Sequence, residues 1–248
     1  MLLREKLKRD GGWLFRWRSY MPLFILPIML IALRHSEALE RVASDQIDDI
    51  WEAMCVVIAL TGLCVRGITV AFCPWGTSGR NTDKQKASTL NTTGMYSIVR
   101  HPLYLGNFLI ILGVTLFVQT WWFTLITILA FWLYYERIIF DEEEFLEKKF
   151  GNPYLEWAKK TPIFLPKFKL WQRPKLPFSF KTVLKKEYTG FLGIIVTFTF
   201  LEVAGDLIVE GKLELAPGWI IALVVGLVLY ITLRTLSKRT RILHVKGR

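Results

Sequence analysis

Residues Gly94 to Gly106 read GMYSIVRHPLYLG, and the architecture follows from this stretch. It sets Arg100, His101 and Pro102 at the mouth of an apolar run. Arg100 and His101 are too costly to bury in lipid without polar partners, so the turn must meet water, a headgroup or a cofactor. About forty residues further on, Asp141 to Glu144 read DEEE at the end of the next apolar run. Two polar clusters at the same end of a helical hairpin make a candidate site.

Working outward, the chain has 248 residues, 52% of them hydrophobic, and a mean hydropathy of +0.35. Apolar runs fall near residues 19–34, 50–73, 102–119, 121–140, 189–209 and 217–236. Each approaches the roughly twenty residues that a bilayer span needs. The expected fold is therefore all-α: a polytopic membrane protein of about six transmembrane helices. Only Gln119 and Thr120 separate the third and fourth runs, which predicts a tight antiparallel hairpin with Trp121 and Trp122 at an interface.

The net charge of +11 would suggest nucleic-acid binding in a soluble chain. Here the basic residues sort by loop. They fill the amino terminus, the loop before Arg100, residues 145–188 and the tail. The intervening loops carry Glu37, Glu40, Asp45, Asp48 and Asp49, then Glu210 and Glu214. That alternation follows the positive-inside rule, puts both termini and both polar clusters in the cytoplasm, and leaves no nucleic-acid role. Four units result: 1–74 with the first two spans, 75–168 as the core with the hairpin, 169–188 as a basic amphipathic cytosolic linker, and 189–248 with the last two spans. Residues 167–187 mix Lys and Arg with Phe168, Trp171, Phe178 and Phe180, a composition suited to an anionic lipid surface.

Cys55, Cys64 and Cys73 are spaced by nine, which puts Cys64 on the opposite helix face from the other two. Neither a disulfide nor a metal site follows, and His35, His101 and His244 are too scattered for one. The first apolar run carries Pro22 and Pro27 and lacks a small-residue cleavage pattern, so no cleavable signal peptide is expected. Glu202 and Asp206, four apart, share a helix face; they either meet solvent or grip a lipid or partner.

At the core motif, Pro102 suits the first turn of a helix whose free N–H groups favour an anionic group. Tyr96 and Tyr104 flank the Arg-His pair with phenol donors, and Gly94 and Gly106 permit close backbone approach. A snorkelling Arg and an interfacial His are the plain alternative. Glu142, Glu143 and Glu144 repel one another and an anionic leaflet, so a compensating partner is expected: a cationic ligand, a ribose diol or Arg100.

The ordered pattern T-x-G-x-Y-x-x-x-R-H-P-x-Y-x-G, a hairpin, then E-E-x-F-L and F-G-x-x-Y before two prolines resembles the isoprenylcysteine carboxyl methyltransferase and phospholipid methyltransferase superfamily. The match runs from Thr92 to Pro166. The resemblance implies S-adenosylmethionine at the cytosolic end of the hairpin, contacted by Tyr96, His101, Tyr104 and Gly106 and held by Glu142 and Glu143. Arg80, Arg100 and Lys160 are the candidates for orienting an anionic acceptor. Isoprenylcysteine enzymes usually carry an Arg before the closing V-P, where this chain reads Lys160-Thr161-Pro162; Lys keeps the charge but loses the bidentate fork. Gly79 to Thr82 (GRNT), with Lys84 and Lys86, would suit a phosphorylated headgroup. The whole arrangement is similar to bacterial inner-membrane methyltransferases acting on lipid A phosphate, a lipopolysaccharide modification. A prenylcysteine carboxylate and a phospholipid headgroup stay open as acceptors. An NADPH-dependent membrane sterol reductase and a non-enzymatic scaffold are the competing classes.

Overall fold

Backbone in hydrocarbon must satisfy its own hydrogen bonds, so apolar runs of this length become helices. The computed structural model describes residues 3–17, 20–35, 45–74, 76–77, 87–209, 211, 216–245 and 247–248. Its helices are α1 (Leu3–Trp17), α2 (Met21–Leu33), α3 (Asp45–Ala71), α4 (Met95–Ile98), α5 (Pro102–Phe117), α6 (Trp121–Phe150), α7 (Asn152–Lys160), α8 (Phe180–Val209) and α9 (Pro217–Arg239). Arg80, the GRNT stretch, Lys84 and Lys86 lie outside the described residues, as do Glu37, Glu40, Glu210 and Glu214.

The all-α membrane architecture holds, with one refinement to the span count. Four helices among the described residues are long and apolar enough to cross a bilayer: α3, α6, α8 and α9. The 16 residues of α5 and the 13 of α2 are apolar but shorter. At 1.5 Å per residue α5 covers about 24 Å, so it reaches a bilayer's full depth only with its flanking turns.

Small residues set the central crossing. The α3–α5 pair is antiparallel: Arg66 reaches Asn107 near one end, and Trp51 Nε1 donates to the Leu116 carbonyl at 3.0 Å near the other. A Cβ on Gly113 would lie 2.5 Å from the Cys55 carbonyl oxygen, and one on Gly106 would lie 2.7 Å from that of Gly62. Only glycine allows backbones this close, the device membrane helices use where hydrophobicity cannot drive association. Cys55 and Cys73 are buried and Cys64 is exposed, as their spacing predicts.

The α5–α6 hairpin forms as expected. Gln119 takes a positive φ of 55° in the link, and its side chain hydrogen-bonds Asp48 of α3. Beyond the apolar part of α6, its carboxy-terminal half continues without a break to Phe150, carrying the Glu cluster on a rigid rod. Helix α1 lies along that half: Gly11 abuts the Arg137 carbonyl, and Tyr134 Oη donates to the Leu14 carbonyl at 2.7 Å.

Glu202 lies at the end of the bundle opposite the His101 turn. It shares hydrogen bonds with Glu52 of α3 and Trp219 of α9. Its neighbours are thus side chains of adjacent helices in the same bundle, an outcome that neither expectation, solvent or a grip on lipid or partner, names.

Candidate functional site

The backbone first brings the two polar clusters together. Gly94 takes a positive φ of 62°, and the chain turns through α4 into an extended Val99 before α5 begins. The segment after α7 then runs back beneath this turn. Arg100 N donates to the Pro162 carbonyl at 2.8 Å, Lys167 N to the Ile98 carbonyl at 2.9 Å, and Gly94 N to the Gln172 carbonyl at 2.9 Å. Gln172 N donates to Ser97 Oγ at 2.9 Å. The R-H-P turn is thus pinned between α6 and its own downstream strap.

Side chains complete the cluster. Arg100 Nη1 lies 2.8 and 2.9 Å from the two carboxylate oxygens of Glu143. His101 is buried at the head of α5, with Nε2 3.1 Å from Glu143 Oε1 and Nδ1 3.7 Å from Glu142 Oε2. Tyr104 Oη donates to Glu142 Oε2 at 2.8 Å. The rings of His101 and Tyr104 stack with centroids 5.5 Å apart and planes 9° from parallel. Residues about forty positions apart therefore form one charge-assisted cluster at one end of the hairpin.

A cleft of about 450 Å³ opens beside it, lined by Arg100, Glu143, Glu147, Tyr154, Leu155 and by Leu7 of α1. The Tyr154 side chain is buried and its hydroxyl lies against Arg100. Burial, with the Glu143 charge in support, pushes this phenol above its ordinary range, while the Arg100 guanidinium opposes the shift. Burial also pushes Tyr96 up, reinforced by Cys73 and Glu142. Both phenols therefore stay protonated donors at neutral pH.

The remaining predicted residues divide. Tyr96 is held by its backbone, whose carbonyl accepts from Trp157 Nε1 at 3.0 Å. Gly106 faces away from the carboxylates: a Cβ there would meet Arg66 Cγ at 2.5 Å, inside the α3–α5 crossing. Lys160 is exposed at the end of α7, and among the described residues no bond joins it to Glu142 or Glu143.

A second polar layer escaped the sequence reading. Arg66 forks onto Glu187 of α8, with Nε 2.9 Å from Oε2 and Nη2 3.1 Å from Oε1. Its Nη1 donates to Asn107 Oδ1 at 2.5 Å, and Asn107 Nδ2 donates to Tyr135 Oη at 3.0 Å. Tyr135 packs on Tyr104 with centroids 4.7 Å apart. The signal was available: Arg66 interrupts one apolar run and Asn107 another, and a lone charge inside a span demands a partner. The partner could not be chosen, because Glu187 comes 121 residues later.

What can this arrangement do chemically? Two carboxylates, an imidazole and a phenol would accept a cation-bearing, hydroxyl-rich ligand, and the guanidinium beside them would orient an anionic oxygen.

Comparison with known proteins points the same way. The profile of the phospholipid methyltransferase family matches residues 52–153, which contain the R-H-P turn and the Glu cluster. The chain is 30% identical over 162 residues to the nickel-cobalt-cadmium resistance protein NccN of Alcaligenes xylosoxydans xylosoxydans, covering 65% of this chain and 70% of that one. It is 35% identical over 127 residues to the cobalt-zinc-cadmium resistance protein CzcN of Cupriavidus metallidurans, covering 49% and 56%. It is also 35% identical over 83 residues to the protein-S-isoprenylcysteine O-methyltransferase of Schizosaccharomyces pombe, about a third of each chain. No solved structure gives a significant match.

Proposed function

The chain belongs to the isoprenylcysteine carboxyl methyltransferase and phospholipid methyltransferase superfamily of integral membrane proteins, and from that premise we propose an S-adenosylmethionine-dependent methyltransferase that acts on an anionic oxygen of a membrane lipid. A lipid A phosphate is the preferred acceptor, and the site faces the cytoplasm of a bacterial inner membrane. The observation that carries the reading is the convergence of His101, Tyr104, Glu142 and Glu143 on one end of the hairpin. When bound, S-adenosylmethionine supplies an electrophilic methyl group on a sulfonium.

The residues fit such a group. Glu142 and Glu143 offer carboxylate acceptors to ammonium or ribose hydroxyls, and their charge favours a nearby sulfonium. The His101–Tyr104 stack fixes the wall that carries these acceptors. Arg100, with Arg80 and Lys160 as further candidates, holds the acceptor oxyanion. An ionised phosphate oxygen is already a nucleophile and needs no general base. Alignment then supplies most of the acceleration, because a well-oriented bound pair is worth on the order of 7–11 kcal/mol of barrier.

A phosphate acceptor is compatible with the metal-resistance names of two relatives. Methylating a lipid phosphate removes a negative charge and weakens the surface's attraction for divalent metal ions as well as cationic peptides. The yeast relative favours a second reading, in which the acceptor is the carboxylate of a prenylated cysteine. Labelled-methyl transfer by the purified protein, offered lipid A and a farnesylated cysteine in parallel, separates the two. Label in lipid A is the expected result; label only in the farnesylated cysteine selects the second reading. Calorimetry with S-adenosylhomocysteine and with NADPH tests the class: binding of NADPH alone would overturn the proposal.

A further inference from the structure

Between Trp157 and Lys186 the chain carries nine Lys or Arg and no Asp or Glu. The structure shows what this stretch presents outward. Leu165 is 77% exposed and Phe168 73%, with Trp171, Phe178 and Phe180 also exposed. Lys167, Lys169, Arg173, Lys175 and Lys181 are exposed among them. A soluble surface avoids such a run of bulky apolar side chains, and a protein core excludes the cations. An anionic lipid leaflet satisfies both, taking the rings at headgroup depth and the cations at the phosphates.

The placement agrees with that occupant. At its carboxy-terminal end the stretch leads directly into α8, a bilayer-length helix that begins at Phe180. Ser179 N donates to the Ala71 carbonyl at 3.2 Å, so this end lies level with the end of α3. The inward side is anchored: Phe164 packs edge-on against Phe108 and Trp132, with centroids 5.4 and 5.7 Å away.

The same stretch supplies the carbonyls of Pro162 and Gln172 that hold the amides of Arg100 and Gly94. We propose that residues 162–180 form a lipid-docking strap that binds the anionic leaflet and thereby tightens the R-H-P turn. The occupant is the bilayer in which the protein itself sits, and the inference stands whatever ligand the neighbouring site takes.

The test uses the full-length protein in nanodiscs of zwitterionic lipid alone or of a mixture rich in phosphatidylglycerol. A nitroxide is attached at Phe168→Cys and separately at Trp171→Cys, each with Cys64→Ala; Cys55 and Cys73 are buried. In the anionic discs both labels should meet oxygen more readily than a water-soluble nickel chelate, whereas a label at Glu156→Cys, an exposed position of α7, should show the reverse. Hydrogen exchange at the Gly94 and Arg100 amides should slow at least about fivefold on adding anionic lipid, the low end of coupling between sites. Changing Lys167, Lys169 and Arg173 together to Gln should remove that slowing. Labels that favour the nickel chelate in both lipids would overturn docking. Labels shielded from both reagents would overturn it too, by placing a protein on the strap. Exchange indifferent to lipid charge would overturn the tightening of the turn.

Discussion

Glu143 joins Arg100 to His101: its Oε1 lies 2.8 Å from the guanidinium Nη1 and 3.1 Å from the imidazole Nε2. One carboxylate thus braces both the residue proposed to hold the acceptor and the residue proposed to contact the methyl donor. Glu143→Gln keeps the shape and removes the charge. A hydrogen bond to a charged group contributes about 1.5–3 kcal/mol, so affinity for S-adenosylhomocysteine should fall roughly ten- to hundredfold. Calorimetry in detergent checks this, and unchanged affinity would take Glu143 out of the site.

Tyr104→Phe makes a finer cut. It keeps the ring stacked on His101 and deletes the 2.8 Å bond to Glu142. Glu142 itself stays in place and only loses a positioning partner, so the expected loss in affinity is smaller, about 1 kcal/mol or roughly fivefold. His101→Ala removes both the stack and the contact with Glu143, and should abolish methyl transfer while the protein still inserts and folds. Full transfer activity in the His101 variant would contradict the proposed function.

The Arg66–Glu187 pair ties α8 to the α3–α5 core. Removing one partner of a buried pair strands the other charge, at about 3–5 kcal/mol, whereas replacing both with apolar residues is often neutral. Glu187→Ala should therefore lower the thermal midpoint sharply. Arg66→Met combined with Glu187→Met should recover most of the loss. A double variant as unstable as the single one would show that the pair holds the helices by more than mutual neutralisation.

How much of this could be read from residues alone follows from where the information lies. Continuous apolar composition and run length marked the bilayer-length helices among the described residues, because a bilayer imposes one length on all of them. The R-H-P turn and the Glu run were visible as charges that lipid does not tolerate. Their convergence also followed, since the Gln119–Thr120 link leaves an antiparallel hairpin little freedom. Other features were out of reach. The strap under Gly94 to Arg100 is held mainly by backbone bonds, which carry no side-chain signature. Helix α1 packs on α6 through Gly11, a contact that composition alone does not reveal. Gly106 looked like a ligand-approach glycine, yet its absent Cβ makes room for Arg66.

Tyr154 and Tyr96 set an alkaline limit on stability. Burial raises both phenols in the folded protein, so above the ordinary tyrosine value of about 10 the unfolded chain loses protons that the folded chain keeps. The unfolded state then binds fewer protons, and stability falls as pH rises past that point; below it the contribution is fully present. Thermal midpoints should be insensitive to these groups near neutrality and drop above about pH 10. Tyr154→Phe should flatten part of that drop. An identical alkaline slope in the variant would assign the loss to other groups.

Gly106 separates packing from ligand contact. In Gly106→Ala the new methyl must displace Arg66 Cγ at 2.5 Å and the Gly62 carbonyl oxygen at 2.7 Å. Overpacking of this kind costs about 1–3 kcal/mol. Gly113→Ala is the matched control: it meets the Cys55 carbonyl oxygen at 2.5 Å in the same crossing, close to the opposite end of α5. If Gly106 serves the crossing alone, both variants lower the thermal midpoint comparably, and the folded fraction of each binds S-adenosylhomocysteine like the parent. If the backbone at Gly106 also touches the methyl donor, as the family pattern implies, only Gly106→Ala loses affinity. Because Arg66 is tethered to Asn107 and Glu187 and has little room to give, the comparable loss of stability is the expected result.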